Sequence, residues 1–175
     1  MLNAIEEEIS AGMGLDLKEG DLAVHPSHGV GIVSGVEERE IAGLLTEVYV
    51  LDIKANDLRV MVPKLAAARV GLRTIMTEEE ADEILIELAK PEVAVSIQPW
   101  NRRFRAYTEM VTSGSAIEVA RVLRDMCRLR YDKDLSFGER RLLEQAKSLL
   151  EQELAIAKDL ELSVIEARIT DTLAG

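Results

Sequence analysis

Apolar positions change their spacing near residue 75. Between about Asp21 and Arg73 they come in short runs: Leu22 and Val24; Val30, Ile32, Val33 and Val36; Val48 to Leu51 with Ile53; and Leu58 to Val62. Short runs rich in valine and isoleucine, bounded by turn residues, predict strands. Gly29, Gly31 and Gly35 mark tight turns or bulges, and Ala55-Asn56-Asp57 reads as a hairpin turn. Pro63 ends the returning strand, because proline has no N–H to donate to a ladder. Four or five such strands in about 50 residues predict a small SH3/Tudor-like β-barrel or half-barrel.

Beyond Thr74 the period becomes helical. Four S/T-x-x-E patterns, Thr77…Glu80, Ser115…Glu118, Ser136…Glu139 and Ser163…Glu166, each precede a periodic apolar segment. In such a box the hydroxyl accepts from the N3 amide while the glutamate returns to the cap amide. The helices predicted are 78–89, 99–111, 116–131, 137–159 and 164–173. The expectation is therefore an α+β protein: a flexible leader over 1–16, a β-rich module over 17–74 and an all-α domain of about five helices over 75–175. The leader, with Glu6, Glu7 and Glu8 among glycine and serine breaks, promises little packing.

Composition adds three constraints. Hydrophobic residues are 47% of 175 but aromatics only 3%, so aliphatic side chains must build the core. No apolar run is long enough for a membrane span and the N-terminus lacks a basic lead-in, which predicts a cytoplasmic protein. Net charge is −11, which alone argues against a nucleic-acid binder. That average hides an island: from Ile97 to Lys147 eleven bases face seven acids, +4, leaving −15 for the remainder. The acidic remainder confines any binding of a polyanion to the island.

Enzyme chemistry is thinly represented. His25 and His28 flank Pro26 with no further ligand set, so a turn is the simpler reading than a metal site. Cys127 is the single cysteine, sits in a predicted helix and has no histidine in the same half of the chain, so it reads as a buried hydrophobe. No phosphate-binding glycine loop occurs. Neither catalysis nor a cofactor is expected.

The informative segment is Gln98-Pro99-Trp100-Asn101-Arg102-Arg103-Phe104-Arg105-Ala106-Tyr107. The only tryptophan follows a proline at a predicted helix start, with three arginines inside the next five positions. On a helix Arg102 and Arg105 share a face while Phe104 and Tyr107 anchor another. A flat aromatic beside guanidinium groups suits a nucleic-acid backbone and a minor-groove base edge. The next helix carries an Arg121, Arg124, Arg128 stripe, with Val119, Val122, Leu123 and Met126 on the core side. Arg140 and Arg141 open the fourth helix, where positive charge opposes the helix dipole unless an anion lies near.

These residues also resemble a family. Gly20-Asp21, Val24 to Gly31, Ile41-Ala42-Gly43, Tyr49-Val50-Leu51, Ala55 to Pro63 and Val70 to Arg73, followed by Trp100 to Arg105, Ser113-Gly114, Val122 to Asp125 and Leu135 to Arg141, are similar to the CarD/CdnL bacterial transcription regulators. The N-terminal half also resembles the RNA-polymerase-interaction module of the transcription-repair coupling factor. The resemblance is collinear over about 17–170. It implies a β module that binds the RNA polymerase β subunit by adding to a sheet edge, with Arg39, Val60 and Met61 at the contact, Met61 replacing a basic residue of some relatives. It further implies a helical domain on promoter DNA, with Trp100 as a minor-groove wedge that stabilises the open complex and Arg102, Arg103, Arg105 and Arg140 on phosphates. DNA binding alone would be weak and sequence-nonspecific, and the protein a monomer. The alternative is a protein-interaction adaptor whose helical domain never touches DNA.

Overall fold

The computed structural model describes residues 15–91, 99–132 and 134–174. Most of the expected leader therefore lies outside the described residues. The chain divides into two compact units, with the division between Ile75 and Met76.

The first unit is an antiparallel five-stranded sheet: β1 Leu22–His25, β2 Gly29–Ile41, β3 Leu44–Ile53, β4 Leu58–Pro63 and β5 Arg73–Thr74. The spatial order is β4-β3-β2-β1-β5. A 3-10 turn, Lys64–Ala66, and a one-turn helix α1, Ala67–Val70, connect β4 to β5. The expected barrel closure is not formed. β5 is two residues long and pairs only with β1, so the sheet stays open with β4 as its far edge. The glycines act where chain geometry needs them. A Cβ on Gly31 would sit 3.0 Å from Ile53 Cδ1 and 3.2 Å from the Asp52 carbonyl oxygen, so only glycine lets β2 lie this close to β3. Between Val33 and Gly35 the β2–β3 register slips by one residue, a bulge at Ser34. Ala42 and Gly43, both at positive φ, close the β2–β3 hairpin at the Ile41–Leu44 pair. Leu17, Val33, Tyr49, Leu51, Ile53, Val62 and Leu72 form the core of this unit, and the Tyr49 hydroxyl donates to the Leu15 carbonyl at 2.6 Å.

The second unit has five helices: α2 Glu78–Ala89, α3 Trp100–Val111, α4 Ala116–Asp132, α5 Phe137–Ala157 and α6 Leu162–Ala174. α4 packs against α2, α3 and α5. Its core face carries the buried Val119, Val122, Leu123 and Met126 that the spacing predicts. Aliphatic residues fill this core, and Trp100, Phe104 and Tyr107 pack only at its margin.

The capping boxes fare unequally, for local reasons. Those at Thr77 and Ser136 are complete, with Thr77 N–H to Glu80 Oε2 at 2.8 Å and Ser136 N–H to Glu139 Oε2 at 2.6 Å. At Ser115 the hydroxyl accepts from the Glu118 amide at 3.5 Å, but the Ser115 N–H is taken by Ser113 Oγ at 3.1 Å. Ser163 is not a cap at all: α6 begins one residue earlier, and the Glu161 carbonyl accepts from the Val164 and Ile165 amides. α5 stops at Ala157 rather than at residue 159, because Asp159 turns left-handed at φ 51° and Leu160 N–H closes back on the Ala155 carbonyl.

Replacing Gly31 by alanine should force β2 away from Asp52 and cost about 1–3 kcal/mol. Urea unfolding should show that loss in the β module; an unchanged midpoint would mean the strand pair yields freely.

Candidate functional site

Two surfaces gather the residues singled out by sequence. The first is the margin of the helical bundle where α3 begins. Pro99 precedes Trp100, the first helical residue, and the Pro99 carbonyl accepts from the Arg102 and Arg103 amides at 3.0 and 3.2 Å. Trp100 is half-buried. Its ring lies 5.4 Å from the Phe104 ring one turn on, and the Arg103 guanidinium carbon lies 5.3 Å from its centroid. Arg103 is thus committed to a cation–π stack rather than extended into solvent. Its Nε is buried and has no hydrogen-bond partner among the described residues. Arg102 and Arg105 are exposed, and Arg105 Nε makes only a surface pair with Glu109 Oε1 at 3.3 Å.

Phe104 joins this turn to α5: a Cβ on Gly138 would stand 3.7 Å from its ring. The start of α5, with exposed Arg140 and Arg141, is thereby brought beside the helix that carries Trp100. Arg140 Nη1 donates to the Leu135 carbonyl at 2.7 Å, and Ser136 with Glu139 cap the same end, so the arginines sit on a helix start that is already satisfied. Sequence reasoning assigned no role to Phe137, which is 75% exposed at the first position of α5. Its signal was available: a phenylalanine placed directly after a capping serine, next to Gly138.

The arginine stripe of α4 belongs to a different structure. Arg124 is 3% exposed, and its Nη1 meets Glu87 Oε1 at 2.9 Å and the Glu87 carbonyl at 3.2 Å. Arg121 Nε reaches the same carboxylate at 3.1 Å, Lys90 joins it at 2.5 Å, and Arg128 donates to the Lys90 carbonyl. Three cations on one carboxylate hold Glu87 well below the usual range, at about 2, with the Lys90 hydrogen bond the largest cause. The stripe clamps the end of α2 to α4 rather than presenting a basic face.

The second surface is the sheet edge. β4 pairs only with β3 and leaves its outer backbone row open. Along it Met61 points outward at 46% exposure, while Val60 is half-buried and packs on the core. Arg39 stands apart. It pairs with Thr46, beyond the last β3–β4 pair, Val48–Pro63, and its guanidinium is bound to Glu37. Thr46 lies four residues, roughly 13 Å, along β3 from the Val50 that faces Met61. Next to this edge an open groove of about 620 Å³ is lined by Leu15, Leu45, Tyr49, Lys64 and Leu65 among others.

The remaining candidates are structural. His25 accepts from the Ser27 amide through Nδ1 at 3.2 Å, its ring lies 4.7 Å from that of His28, and burial pushes its pKa down. Cys127 packs against the helical core, where burial pushes its thiol up. Among the described residues no three His, Cys, Asp or Glu side chains are grouped to hold a metal, and no helix is long and apolar enough to cross a membrane.

An open-edged β module is thus followed by a separate helical unit that carries an aromatic–arginine cluster. Residues 17–76 match the CarD-like/TRCF RID domain and residues 76–170 match the CarD C-terminal domain. A candidate transcription factor of Bacillus subtilis (strain 168), YdeB, is 28% identical over 141 residues, covering 81% of this chain and 92% of YdeB. The solved structure "CdnLNt from Myxoccoccus xanthus" is 43% identical over 35% of this chain and 87% of its own, with a TM-score of 0.29. The chain belongs to the CarD family of transcription regulators, whose N-terminal domain is an RNA polymerase interaction module.

Removing the central carboxylate by Glu87→Gln should destabilise the helical unit by about 3 kcal/mol at neutral pH, since the buried Arg124 charge then has only the partly exposed Asp125 to offset it. Because the folded pKa is depressed, this contribution is complete above the unfolded value of about 4.5 and fades as pH falls toward about 2. Urea midpoints of the two proteins should converge over that window. A constant gap down to pH 2 would show that the charge of Glu87 is not what matters.

Proposed function

We propose that this protein is a bacterial regulator that binds the RNA polymerase β subunit along β4 and stabilises the open promoter complex through the α3–α5 margin. The observation that carries the reading is the pairing of two separate surfaces: an open strand edge in one unit and a tryptophan flanked by arginines in the other.

At the edge, a partner strand would pair with the backbone of β4, with outward Met61 beside it, half-buried Val60 shaping the strand from beneath, and Arg39 making a separate contact on the hairpin. Backbone pairing does not depend on side-chain charge, so Met61 in place of a basic residue is compatible with it. On promoter DNA, the exposed part of Trp100 would enter the minor groove at the upstream edge of the bubble. Stacking on Arg103 and Phe104 limits the ring's freedom, which lowers the entropy lost on insertion. Wedging costs a few kcal/mol of base unstacking, least where the duplex is already opening. Arg102, Arg105 and Arg140 would meet phosphates, with Arg103 supporting the ring as well as adding charge. Net charge −11 suits this arrangement. Polymerase supplies a high effective concentration of DNA, so a small basic patch suffices, acting as a monomer in the cytoplasm with weak, salt-sensitive and sequence-nonspecific affinity of its own.

The second reading is an adaptor whose helical unit does not touch DNA. Half-burial of Trp100 and the internal use of Arg121, Arg124 and Arg128 favour it. The lifetime of open promoter complexes with cognate polymerase separates the two. The regulator lengthens it, and Trp100→Ala removes most of the gain while polymerase binding persists. A lifetime gain indifferent to Trp100→Ala together with Arg102→Glu and Arg105→Glu would establish the adaptor.

A further inference from the structure

We infer that Tyr107 and Asp125 are positioning residues of the tryptophan site: their hydrogen bond seats the Arg103 side chain under the Trp100 ring, so that the ring is oriented before DNA is met. The inference rests on the reading of Trp100 as the DNA-contacting group.

Residues 100, 103, 107 and 111 fall on one face of α3. The far end of that face is fixed, since Val111 is fully buried. The near end carries Trp100 and Arg103, whose mutual stack has no hydrogen bond to hold it from the arginine side: Nε is buried without a partner among the described residues. Tyr107 is the polar anchor between the two ends. Its hydroxyl donates to Asp125 Oδ2 at 3.4 Å, across the gap between α3 and α4. Tyr107 stands one helical turn after Arg103, and a helical side chain leans back over the preceding turn, which places the phenol toward the arginine.

Asp125 is itself immobilised. Its other oxygen accepts from Arg124 Nε at 3.1 Å, and Arg124 is locked by Glu87. Hydrogen bonds thus run from the Glu87 clamp through Arg124 and Asp125 to Tyr107, which neighbours Arg103 on the same face of α3, and Arg103 in turn stacks on Trp100. Burial and the nearby Asp125 carboxylate push the phenol up to about 12, so Tyr107 keeps its proton, and its role as donor, at every pH where the protein works.

The test uses the single tryptophan of the full-length chain as its own reporter. Tyr107→Phe keeps the ring and removes the hydroxyl. Asp125→Asn keeps an acceptor for it. Thr108→Ala, at an exposed neighbour whose hydroxyl bonds only the Phe104 carbonyl, controls for general loosening of α3. In the free protein, Tyr107→Phe should lower Trp100 fluorescence anisotropy and shift its emission, whereas Asp125→Asn and Thr108→Ala should each keep wild-type values. With polymerase on a promoter, Tyr107→Phe should shorten the open-complex lifetime about threefold, the scale of one lost hydrogen bond. An unchanged Trp100 signal in Tyr107→Phe, an equal change in Thr108→Ala, or an equal change in Asp125→Asn overturns the positioning role. Failure of the wedge reading looks different: Trp100→Ala then leaves the promoter complex unaffected, while the fluorescence series in the free protein still decides the inference on its own terms.

Discussion

The helical unit is organised around one carboxylate. Glu87 lies at the end of α2, is 4% exposed, and collects Arg121, Arg124 and Lys90. A buried guanidinium without a counter-ion would be strongly unfavourable, and Arg124 is held by two carboxylates, the buried Glu87 across the helix pair and Asp125 beside it. That pair fixes α2 on α4, and α4 is the helix against which α3 and α5 both pack. The surface that carries Trp100 therefore inherits its geometry from an ion pair that makes no outside contact. Ionic bonding has this part to play because the core offers no large aromatic interlock: its filling is aliphatic, and weakly directional packing leaves helix register to be set by polar contacts.

The same economy explains where the positive charge goes. A count of charges along the chain finds eleven bases in the island. In three dimensions they divide by depth. Arg124 is buried in the bundle, Arg121 and Arg128 are bound at its surface to Glu87 and the Lys90 carbonyl, Arg103 lies under an indole, and Arg102, Arg105, Arg140 and Arg141 are exposed. In the proposed regulator, a basic patch of that size on an acidic protein relies on polymerase to bring the polyanion close. The β module, with its open β4 edge, is the part of the chain built for holding a protein partner.

Much of the fold was legible in the sequence because it rests on local rules. Helix starts at Thr77 and Ser136 follow from capping chemistry, the core face of α4 from its period, and the hairpin turn at Ala55-Asn56-Asp57 from turn composition. Where reading failed, the deciding partner lay elsewhere in the chain or in the backbone. Ser163 matched the cap pattern, but the Glu161 carbonyl had already started α6. The sheet did not close, since closure depends on how long β5 grows, and only two of its residues pair. The arginine stripe looked solvated because periodicity on one helix cannot reveal that Glu87, 37 residues away, stands opposite it.

The tryptophan site shows the same boundary more sharply. Residue types alone placed Trp100, Arg102, Arg103 and Arg105 together at a helix start, and the structure keeps them together. Sequence treated the three arginines as equivalent phosphate ligands; packing makes them unequal. Arg103 lies on the Tyr107 face and is drawn under the indole, while Arg102 and Arg105, which share the opposite face, stay in solvent. A rotation of 100° per residue is enough to divide neighbouring arginines between a supporting and a contacting part. In the proposed regulator the division has a use: an indole braced by a cation would present a fixed edge to the groove, and the exposed guanidinium groups beside it would stay mobile enough to follow the phosphates of a duplex that is changing shape.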